Sequence, residues 1–469
     1  MARYHFIGIA GTAMATLAAM LKSRGHQVQG SDHGVYPPMS EFLEEHEIRF
    51  FDDYDAGHIT SDIQTVIVGN AISRGNPELE AVLERKVRYQ SLPETVRNEF
   101  LWSRRSIVVA GTHGKTTTTA IAGWLLTHAG HDPSVLVGGI VPNFGGSFRL
   151  GGGRDFVIEG DEYDSAFFDK TAKFLKYLPD LVVVSNLEYD HADIYADMES
   201  LRVAFRRLLT LVPRNGRVFL GADSPEAVRL RHAAPCQVET FGLAADADWR
   251  ADEVESAEGG LRFEVTLRGE RLGHVWSPLH GLHNVQNTLG AVAVGKAVGL
   301  SFEQMAKALK DFTGVKRRLE PRGVVRGVTV LDDFAHHPTA ILETVRAIRL
   351  SYPDRRVWAI FEPRSATSCR RVFQQDFARA FRESGADEVV IASVFRESLP
   401  ADERLSVEDL VRDLVRAKQS ARHLPSVDAI VEAVSREARD GDVVIIMSNG
   451  GFGGIHDKLL TALARPDRR

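Results

Sequence analysis

The sequence predicts an α/β protein of three domains, each built on a mainly parallel β-sheet flanked by helices. Short apolar segments alternate with helical segments along the whole chain, which is the pattern of such sheets. The pattern restarts near residues 105 and 314. In addition, 469 residues are too many for one ordinary core, since a domain commonly has about 150 residues. The predicted domains are therefore 1–104, 105–313 and 314–469.

The first domain is predicted to begin with a strand, a helix and a second strand. The apolar patterns predict a helix over 14–24 and strands at 4–9, 28–31 and 66–69. Gly8 and Gly11 interrupt the apolar segment 6–21, and a strand follows it, so a βαβ unit is predicted there in preference to a signal peptide. The charged stretch 98–105 is predicted to be a linker.

The second and third domains are predicted from further apolar runs. Residues 106–110 form a strand that leads through a glycine-containing loop into a helix, and a second helix over 284–298 ends before Gly299. Central parallel strands are predicted at 156–159, 181–185 and 217–220, and an antiparallel edge strand at 262–267. In the third domain, strands are predicted at 328–332, 356–362, 388–392 and 443–448.

Composition and charge exclude several classes of protein. The formal net charge is −6, which gives no strong positive field for binding a nucleic acid. Hydrophobic residues make up 44% of the chain, which is typical of a folded protein, and no apolar run is long enough to predict a membrane span. The only cysteines are Cys236 and Cys369, which suit a reducing compartment, so a cytoplasmic protein is expected.

The strongest local signal is a glycine-containing loop between a predicted strand and a predicted helix. Its residues are Gly111, Thr112, His113, Gly114, Lys115, Thr116 and Thr117. The backbone N–H groups of such a loop bind phosphate oxygens, a lysine neutralises phosphate charge, and a threonine hydroxyl binds Mg²⁺. Val109 stands where most nucleotide hydrolases have a further glycine, so this loop is shorter than theirs.

Two acidic clusters follow in the same domain, each at the end of a predicted strand. The first contains Glu159, Asp161, Glu162 and Asp164, and the second contains Asn186, Glu188, Asp190, His191 and Asp193. Ligands of open α/β sheets bind at the carboxyl ends of strands, so both clusters are predicted to face the phosphate loop. Oxygen ligands of this kind suit Mg²⁺, which would offset their charge. Without the loop, solvated surface loops would be the simpler interpretation.

These motifs, with others in the same order, resemble those of the Mur ligase family along the entire chain. The others are His283–Asn287, Arg317-Arg318 and 332–338. The resemblance implies Rossmann-like first and third domains, which bind a UDP-sugar and the acceptor, and a central domain like that of P-loop ATPases. It also implies an amide ligase that depends on ATP and Mg²⁺. Either a monomer or a homodimer is consistent with the sequence.

Four local features are similar to the branch of the family that attaches a recycled cell-wall peptide. They are residues 69–77, 159–170, 361–365 and 448–456. The substrates implied are UDP-N-acetylmuramate and the murein tripeptide L-Ala-γ-D-Glu-meso-diaminopimelate, in peptidoglycan recycling. The alternative implied is the L-alanine-adding branch, whose acceptor is a free amino acid. That branch carries arginines where Ser365 and Ser368 stand here, so a clamp for the small amino acid's carboxylate is predicted to be absent.

Position by position, the resemblance implies a role for each site residue. The residues implied to hold the UDP-sugar are Gly8, Gly11, Asp32, Asn70 and Ala71. Those implied to hold ATP, besides the phosphate loop, are Asn284 and Asn287 at the adenine, Arg318 at the γ-phosphate and Asp333 at the ribose. Those implied to bind Mg²⁺ are Thr116, Glu159 and His191.

The resemblance also implies which residues contact the acceptor and which are catalytic. Acceptor contacts are implied for His336, Arg364, Asn449, Gly450 and Gly451, and catalytic roles for Lys115, Glu159, His191 and Arg318. ATP would convert the sugar carboxylate into an acyl phosphate, which the peptide amine attacks. Many relatives add a carbamylated lysine after the histidine, but no lysine occurs between Lys176 and Lys296, so no such lysine is expected. The general base stays open.

Two other classes of function account for less of the sequence. A P-loop kinase or transport ATPase would have the longer phosphate loop, and the flanking α/β domains would have no role in it. A nucleotide-sensing module does not require two acidic clusters beside the γ-phosphate. The amide ligase therefore explains more of the chain than either alternative.

Overall fold

The computed structural model describes residues 1–190, 194–395 and 399–465. The chain forms two compact units. The first comprises Met1–Leu187, Glu199–Phe241 and Gly290–Ala308, and the second comprises Glu188–Met198, Gly242–Leu289 and Leu309–Arg469. Within the described residues, no helix has both the length and the apolar character needed to cross a membrane.

The amino-terminal part of the first unit contains a parallel five-stranded sheet with the order β3-β2-β1-β4-β5. Strands β1 and β4 lie at its centre, where their apolar side chains are buried, as expected for a parallel sheet covered on both faces. The elements are β1 Arg3–Ile7, α1 Thr12–Ser23, β2 Gln27–Ser31, α2 Met39–Glu45, β3 Arg49–Phe51, β4 Thr65–Val68, α3 Pro77–Glu84, β5 Tyr89–Ser91 and α4 Leu92–Val96. This order confirms the Rossmann-like prediction and creates a ligand-binding switch point between β1 and β4.

The predicted linker at 98–105 is wrong for its first half. Residues Arg97–Leu101 continue α4 as a π-helical turn. Phe100 and Leu101 are buried, with 6% and 1% exposure, while Glu99 accepts a hydrogen bond of 2.9 Å from the Tyr4 hydroxyl. The turn is amphipathic, because Phe100 and Leu101 reach the core and its polar side chains do not. The many charged residues of this stretch made it resemble a linker in the sequence.

The next part of the first unit contains strands in the order β14-β13-β12-β6-β9-β7-β8, all parallel except β8. The elements are β6 Arg105–Ala110, α5 Lys115–His128, β7 Ser134–Val141, β8 Gly146–Arg149, β9 Asp155–Glu159, β10 Asp164–Ala166, β11 Asp169–Ala172, β12 Pro179–Val184, α6 Met198–Thr210, β13 Arg217–Gly221, α7 Pro225–Arg229 and β14 Gln237–Gly242. The predicted parallel strands are confirmed. Strand β6, which leads into the phosphate loop, lies between β12 and β9, which lead into the two acidic clusters.

The second unit contains three antiparallel strands, β15 Trp249–Ala257, β16 Gly260–Leu267 and β17 Glu270–Ser277. Helices α8 Leu282–Ala297 and α9 Phe302–Lys310 follow, and their residues are divided between the two units. Strand β16 is antiparallel as predicted, but it pairs on both sides, so its prediction as an edge strand is wrong. Its inner position agrees with the burial of Phe263 and Val265.

The carboxyl-terminal part of the second unit contains a six-stranded sheet with the order β18-β19-β23-β20-β21-β22, parallel except for β18. The elements are β18 Glu320–Val325, β19 Val328–Asp333, α10 Pro338–Ser351, β20 Val357–Phe361, α11 Gln374–Ser384, β21 Glu388–Ile391, α12 Val407–Arg416, β22 Ser420–His423, α13 Val427–Glu437, β23 Val443–Met447 and α14 Ile455–Ala464. Alternate residues of β23 enter two apolar clusters on opposite faces. The sheet is therefore buried on both sides, as its continuous apolar strands predict.

Candidate active site

The phosphate loop joins β6 to α5 and depends on two glycines. Gly111 has φ of +127° and Gly114 has φ of +83°, conformations that favour glycine. A Cβ atom at Gly111 would lie 2.5 Å from the Ser185 hydroxyl oxygen, so a side chain does not fit there. Helix α5 begins at Lys115, and the unpaired N–H groups of a helix start favour an anion.

The loop is fixed to the end of β12 by hydrogen bonds. The His113 N–H donates to the Asn186 side-chain oxygen (2.8 Å), and the Thr112 N–H donates to the Asn186 carbonyl (3.0 Å). The Ser185 hydroxyl donates to the His113 carbonyl (2.7 Å). Asn186 was predicted to face the loop as part of the second acidic cluster, whereas no role was predicted for Ser185, the last residue of a predicted strand.

Lys115 lies over the loop beside an acidic side chain. Its ammonium donates to the Gly111 carbonyl at 2.7 Å and to Glu162 at 3.0 Å. Burial lowers the pKa of Lys115, but the carboxylates of the first acidic cluster outweigh burial and raise it above the usual range. The lysine therefore keeps the positive charge that phosphate binding needs. Glu162 belongs to the first acidic cluster, which was predicted to face the phosphate loop, but its contact with Lys115 was not predicted.

Glu159 and Thr116, two predicted Mg²⁺ ligands, lie together. The Thr116 hydroxyl donates to Glu159 at 3.0 Å, and the other Glu159 oxygen accepts the Gly138 N–H at 2.8 Å. Two oxygen donors beside a phosphate loop fit Mg²⁺, which prefers hard oxygen ligands. The third predicted ligand, His191, lies outside the described residues.

The predicted sugar-binding residues Gly8, Gly11 and Asp32 meet at the carboxyl ends of β1 and β2. Gly8 has φ of +86°, and Gly11 precedes the first residue of α1. The Asp32 carboxylate accepts the Ala10 N–H and the Tyr54 hydroxyl, each at 2.8 Å. Asp32 thus fixes the glycine turn at the switch point. Tyr54 was not predicted, because no motif contains it.

Asn70 and Ala71, also predicted to lie near the sugar, are exposed in the turn after β4. The Asn70 side chain donates to Asp164 of β10 at 3.3 Å, and Asp164 also pairs with Lys170 at 2.6 Å. The turn is therefore connected to the last residue of the first acidic cluster.

In the second unit, the two asparagines predicted at the adenine share one face of α8. Asn287 donates to the Asn284 side-chain oxygen at 2.9 Å, and Asn284 donates to the His280 carbonyl at 2.8 Å. Both side chains are largely buried. Their spacing of three residues produces this contact, as the sequence predicted.

Asp333 lies at the end of β19 in a fully hydrogen-bonded position. Its carboxylate accepts the N–H groups of Leu319 (2.7 Å) and Ala335 (2.8 Å). Burial raises the pKa of Asp333, and its partners only partly oppose this shift. The guanidinium of Arg318 lies 5.1 Å from the Phe334 ring centre. Asp333 therefore orders the strand end, in addition to any contact with a ligand.

The segment 361–371 after β20 carries the residues that differ from the L-alanine-adding branch. Ser365 and Ser368 are buried and their hydroxyls lie 2.9 Å apart. Thr367 donates to Asp190 at 2.5 Å. The side chains of both serines therefore point into the segment itself. No guanidinium is present at either position.

Arg364 lies between an aromatic ring and the glycine-rich turn. Its guanidinium carbon is 3.7 Å from the Phe395 ring centre, and a side chain at Gly450 would collide with it. The turn is fixed by the Gly450 N–H, which donates to the Ser448 hydroxyl at 2.9 Å. The structure thus brings together Arg364 and Gly450 from the predicted acceptor residues. Two other predicted acceptor residues, Asn449 and Gly451, flank Gly450 in the turn. The last one, His336, has its ring nitrogen 2.9 Å from the Phe334 carbonyl oxygen.

Comparison with known proteins gives family matches to three parts of the chain. Residues 3–98 match the "Mur ligase family, catalytic domain", residues 109–295 the "Mur ligase middle domain" and residues 317–450 the "Mur ligase, glutamate ligase domain". These matches cover the three regions that contain the glycine turn after β1, the phosphate loop and the segment 361–371.

Individual relatives match nearly the whole chain. UDP-N-acetylmuramate–L-alanyl-γ-D-glutamyl-meso-2,6-diaminoheptandioate ligase of Escherichia coli is 41% identical over 99% of this chain and 98% of its own. UDP-N-acetylmuramate–L-alanine ligase of Salinibacter ruber is 35% identical over 95% of this chain and 92% of its own. The crystal structure of a murein peptide ligase from Psychrobacter arcticus matches with a TM-score of 0.74 and 34% identity, covering 100% of both chains.

Proposed function

This chain belongs to the Mur ligase family, and from that premise we propose that it joins L-alanyl-γ-D-glutamyl-meso-2,6-diaminoheptandioate to UDP-N-acetylmuramate. It is an ATP- and Mg²⁺-dependent ligase that forms a carbon–nitrogen bond. The proposed reaction returns a released cell-wall peptide to the nucleotide-linked sugar, and so serves peptidoglycan recycling. The Escherichia coli relative, which has this activity in its name, is 41% identical over almost the full length.

The segment 361–371 is the observation that supports the peptide acceptor most strongly. A free amino acid has a carboxylate beside its amine, and a cationic side chain close to the bound amine would bind that carboxylate. Ser365 and Ser368 provide no charge and hydrogen-bond to each other. The side chain of Arg364 retains 30% exposure. A peptide, whose carboxylates lie farther from the reacting amine, suits this arrangement better.

The residues of the phosphate loop would carry out the electrostatic part of the reaction. ATP with Mg²⁺ supplies the phosphoryl group that converts the sugar carboxylate into an acyl phosphate. Lys115 stabilises negative charge next to the loop, and its raised pKa keeps it protonated. Thr116 and Glu159 would hold the metal ion, and His191 is proposed as the third ligand. Backbone N–H groups at the start of α5 orient the phosphates.

The remaining sites are proposed by position. Residues 1–104 would bind the UDP-sugar, through Gly8, Gly11, Asp32, Asn70 and Ala71. Residues 105–313 would bind ATP, with Asn284 and Asn287 at the adenine. Residues 314–469 would bind the acceptor through His336, Arg364, Asn449, Gly450 and Gly451, and would add Arg318 and Asp333 to the nucleotide site.

The alternative function is the addition of L-alanine, the activity named for the Salinibacter ruber relative, which is 35% identical. Steady-state ligation with UDP-N-acetylmuramate, ATP and Mg²⁺ distinguishes the two. We expect kcat/KM to be at least about a hundredfold higher for the tripeptide than for L-alanine, since one charged contact changes affinity by about tenfold and the peptide makes several. A preference for L-alanine would contradict the proposed acceptor and leave the ligase chemistry intact.

A further inference from the structure

A solvent-open cavity of about 480 Å³ lies in the second unit beside the segment 361–371, which we name the acceptor segment after its proposed role. The side chains around it combine both charges with apolar surface. They are Tyr189, Arg370, Arg371, Val372, Asp402 and Glu403. No motif predicted this cavity, because its walls come from three separate stretches of the chain.

The walls of the cavity are held in place by hydrogen bonds. The Arg371 N–H donates to the Glu403 carbonyl at 2.7 Å, and the Tyr189 hydroxyl donates to the Tyr195 carbonyl at 3.0 Å. The Tyr189 ring stacks on the Phe373 ring at 6.2 Å between centres. The cavity therefore has a fixed aromatic wall and a fixed polar wall.

Its charges are only loosely paired within the protein. The guanidinium of Arg370 is 3.5 Å from Glu403, and that of Arg371 is 3.8 Å from Asp409. The Arg370 Nε is buried and makes no hydrogen bond to any described residue. The Arg370 side chain as a whole keeps 27% exposure, so a carboxylate in the cavity can contact its guanidinium. Glu403 is 55% exposed and is available to a positively charged group.

The cavity adjoins the proposed acceptor site. Thr367 of the acceptor segment donates to Asp190 at 2.5 Å, and Asp190 is the neighbour of Tyr189 in sequence. Arg370 and Arg371 are the continuation of the same segment. The cavity residues Arg370 and Arg371 are thus only a few positions along the protein chain from Arg364, the residue proposed to contact the peptide.

We propose that this cavity binds the free end of the acceptor's third residue, a carbon atom that bears both an ammonium and a carboxylate group. This inference rests on the proposed function. Arg370 and Arg371 bind the carboxylate, Asp402 and Glu403 bind the ammonium, and Tyr189 and Val372 pack against the methylene groups. Val372, which is 64% exposed, is the apolar side chain that such packing would cover.

The experiment compares two tripeptides that differ only at this end. L-Ala-γ-D-Glu-meso-2,6-diaminoheptandioate has the carboxylate and the ammonium, whereas L-Ala-γ-D-Glu-L-Lys has the ammonium alone. We expect the wild-type KM to be about tenfold lower for the first peptide, because it alone makes the hydrogen bonds between charged groups. Equal KM values for the two peptides would overturn the proposal.

Variants identify the residues responsible. Arg370→Gln and Arg371→Gln should each raise the KM for the diaminoheptandioate peptide about tenfold and leave that for the lysine peptide unchanged. Glu403→Gln should raise the KM for both peptides, because both carry the ammonium group. Arg371 is 52% exposed, so its replacement tests binding even where the loss of Arg370 disturbs folding. Arg379→Gln, an exposed arginine of α11 paired with Asp376, is the matched control.

The outcomes separate this inference from the proposed function. If the wild-type enzyme ligates both peptides and the arginine variants change the two KM values equally, the cavity is structural and the inference is wrong. If the wild-type enzyme ligates neither peptide but accepts L-alanine, the proposed function fails, and the inference fails with it.

Discussion

Lys115 shows how one buried charge is maintained. Its ammonium is withdrawn from solvent, with 14% of the side chain exposed, and contacts Glu162 and two loop carbonyls. A charge in such a place is stable only with compensating partners. The first acidic cluster provides them and also Glu159, the proposed metal ligand. The acidic residues therefore stabilise the charged lysine, in addition to the role proposed for Glu159 at the metal ion.

Replacement of this lysine should abolish most of the activity without unfolding the loop. We expect Lys115→Ala to lower kcat by about a hundredfold or more, because it removes a main source of charge stabilisation. Phosphate release in the presence of UDP-N-acetylmuramate and the tripeptide measures this. Lys310→Ala, at an exposed position of α9, is the control. A near-normal rate for Lys115→Ala would contradict the assignment.

A second buried charge lies in the amino-terminal part of the first unit. Glu78 is fully buried and contacts His5 at 3.0 Å and His58 at 2.7 Å. Burial alone would raise the pKa of Glu78, but its hydrogen bonds and the charge of His5 outweigh burial and lower the pKa below its usual 4.5. A lowered pKa in the folded state stabilises the protein above the usual pKa, and this contribution is lost as the pH falls through the folded value.

Glu78→Gln should therefore destabilise the first unit in a pH-dependent way. At pH 7 we expect a loss of about 2 kcal/mol in the free energy of unfolding, in line with hydrogen bonds to a charged group. The difference from the wild type should shrink below pH 4.5, because there the glutamate of the unfolded chain becomes protonated while that of the folded protein is still charged. It should vanish once the pH has fallen below the pKa of the folded state. Urea unfolding at several pH values tests this, with Glu84→Gln on the exposed surface of α3 as control. A pH-independent difference would exclude the charge as the cause.

At the scale of elements, the sequence predicted the long apolar strands and the phosphate loop well. Strands β6, β9, β12 and β13 appear within two residues of their predicted ends, because each is a continuous apolar run. Short strands such as β3 and β5, with three residues each, lack such a signal and were missed. Tyr54 and Gly138 were missed for another reason. Their roles arise from contacts between segments that only the fold brings together.

The turn between β6 and α5 permits a test of close packing. We expect Gly111→Ala to lower kcat/KM for ATP at least about tenfold, since a Cβ 2.5 Å from the Ser185 hydroxyl oxygen must displace the loop. Gly130→Ala is the matched control, because Gly130 also has a positive φ, +83°, but nothing lies within 4 Å of its added Cβ. It should cost about 1 kcal/mol of stability and leave kcat/KM unchanged. Equal effects of the two variants on kcat/KM would show that backbone conformation, and not packing, is limiting.

For the molecule as a whole, the apolar clusters show which parts of the chain depend on one another. The cluster of the amino-terminal sheet is built around Ile7, Val68 and Leu79, and Phe167 and Phe168 pack against it from the β10–β11 turn. The residues that follow the first acidic cluster thus complete the core of the amino-terminal sheet. The six-stranded sheet differs, because both of its clusters are made of residues 328–463.

This difference predicts how fragments should behave. We expect residues 314–469 to fold alone, since they contain the whole six-stranded sheet and both of its apolar clusters, and their length is that of an ordinary domain. Residues 1–104 should be less stable, because the fragment lacks Phe167 and Phe168 and so exposes apolar surface of this cluster. Thermal unfolding followed by near-ultraviolet circular dichroism measures both, and fragment 1–187 is the control that restores the two phenylalanines. A cooperative transition is expected for 314–469 and a higher melting temperature for 1–187 than for 1–104. If 314–469 lacked fixed tertiary structure and gained it only with residues 188–198, the carboxyl-terminal domain would need Tyr189, which packs against its core, and its boundary would have to be redrawn.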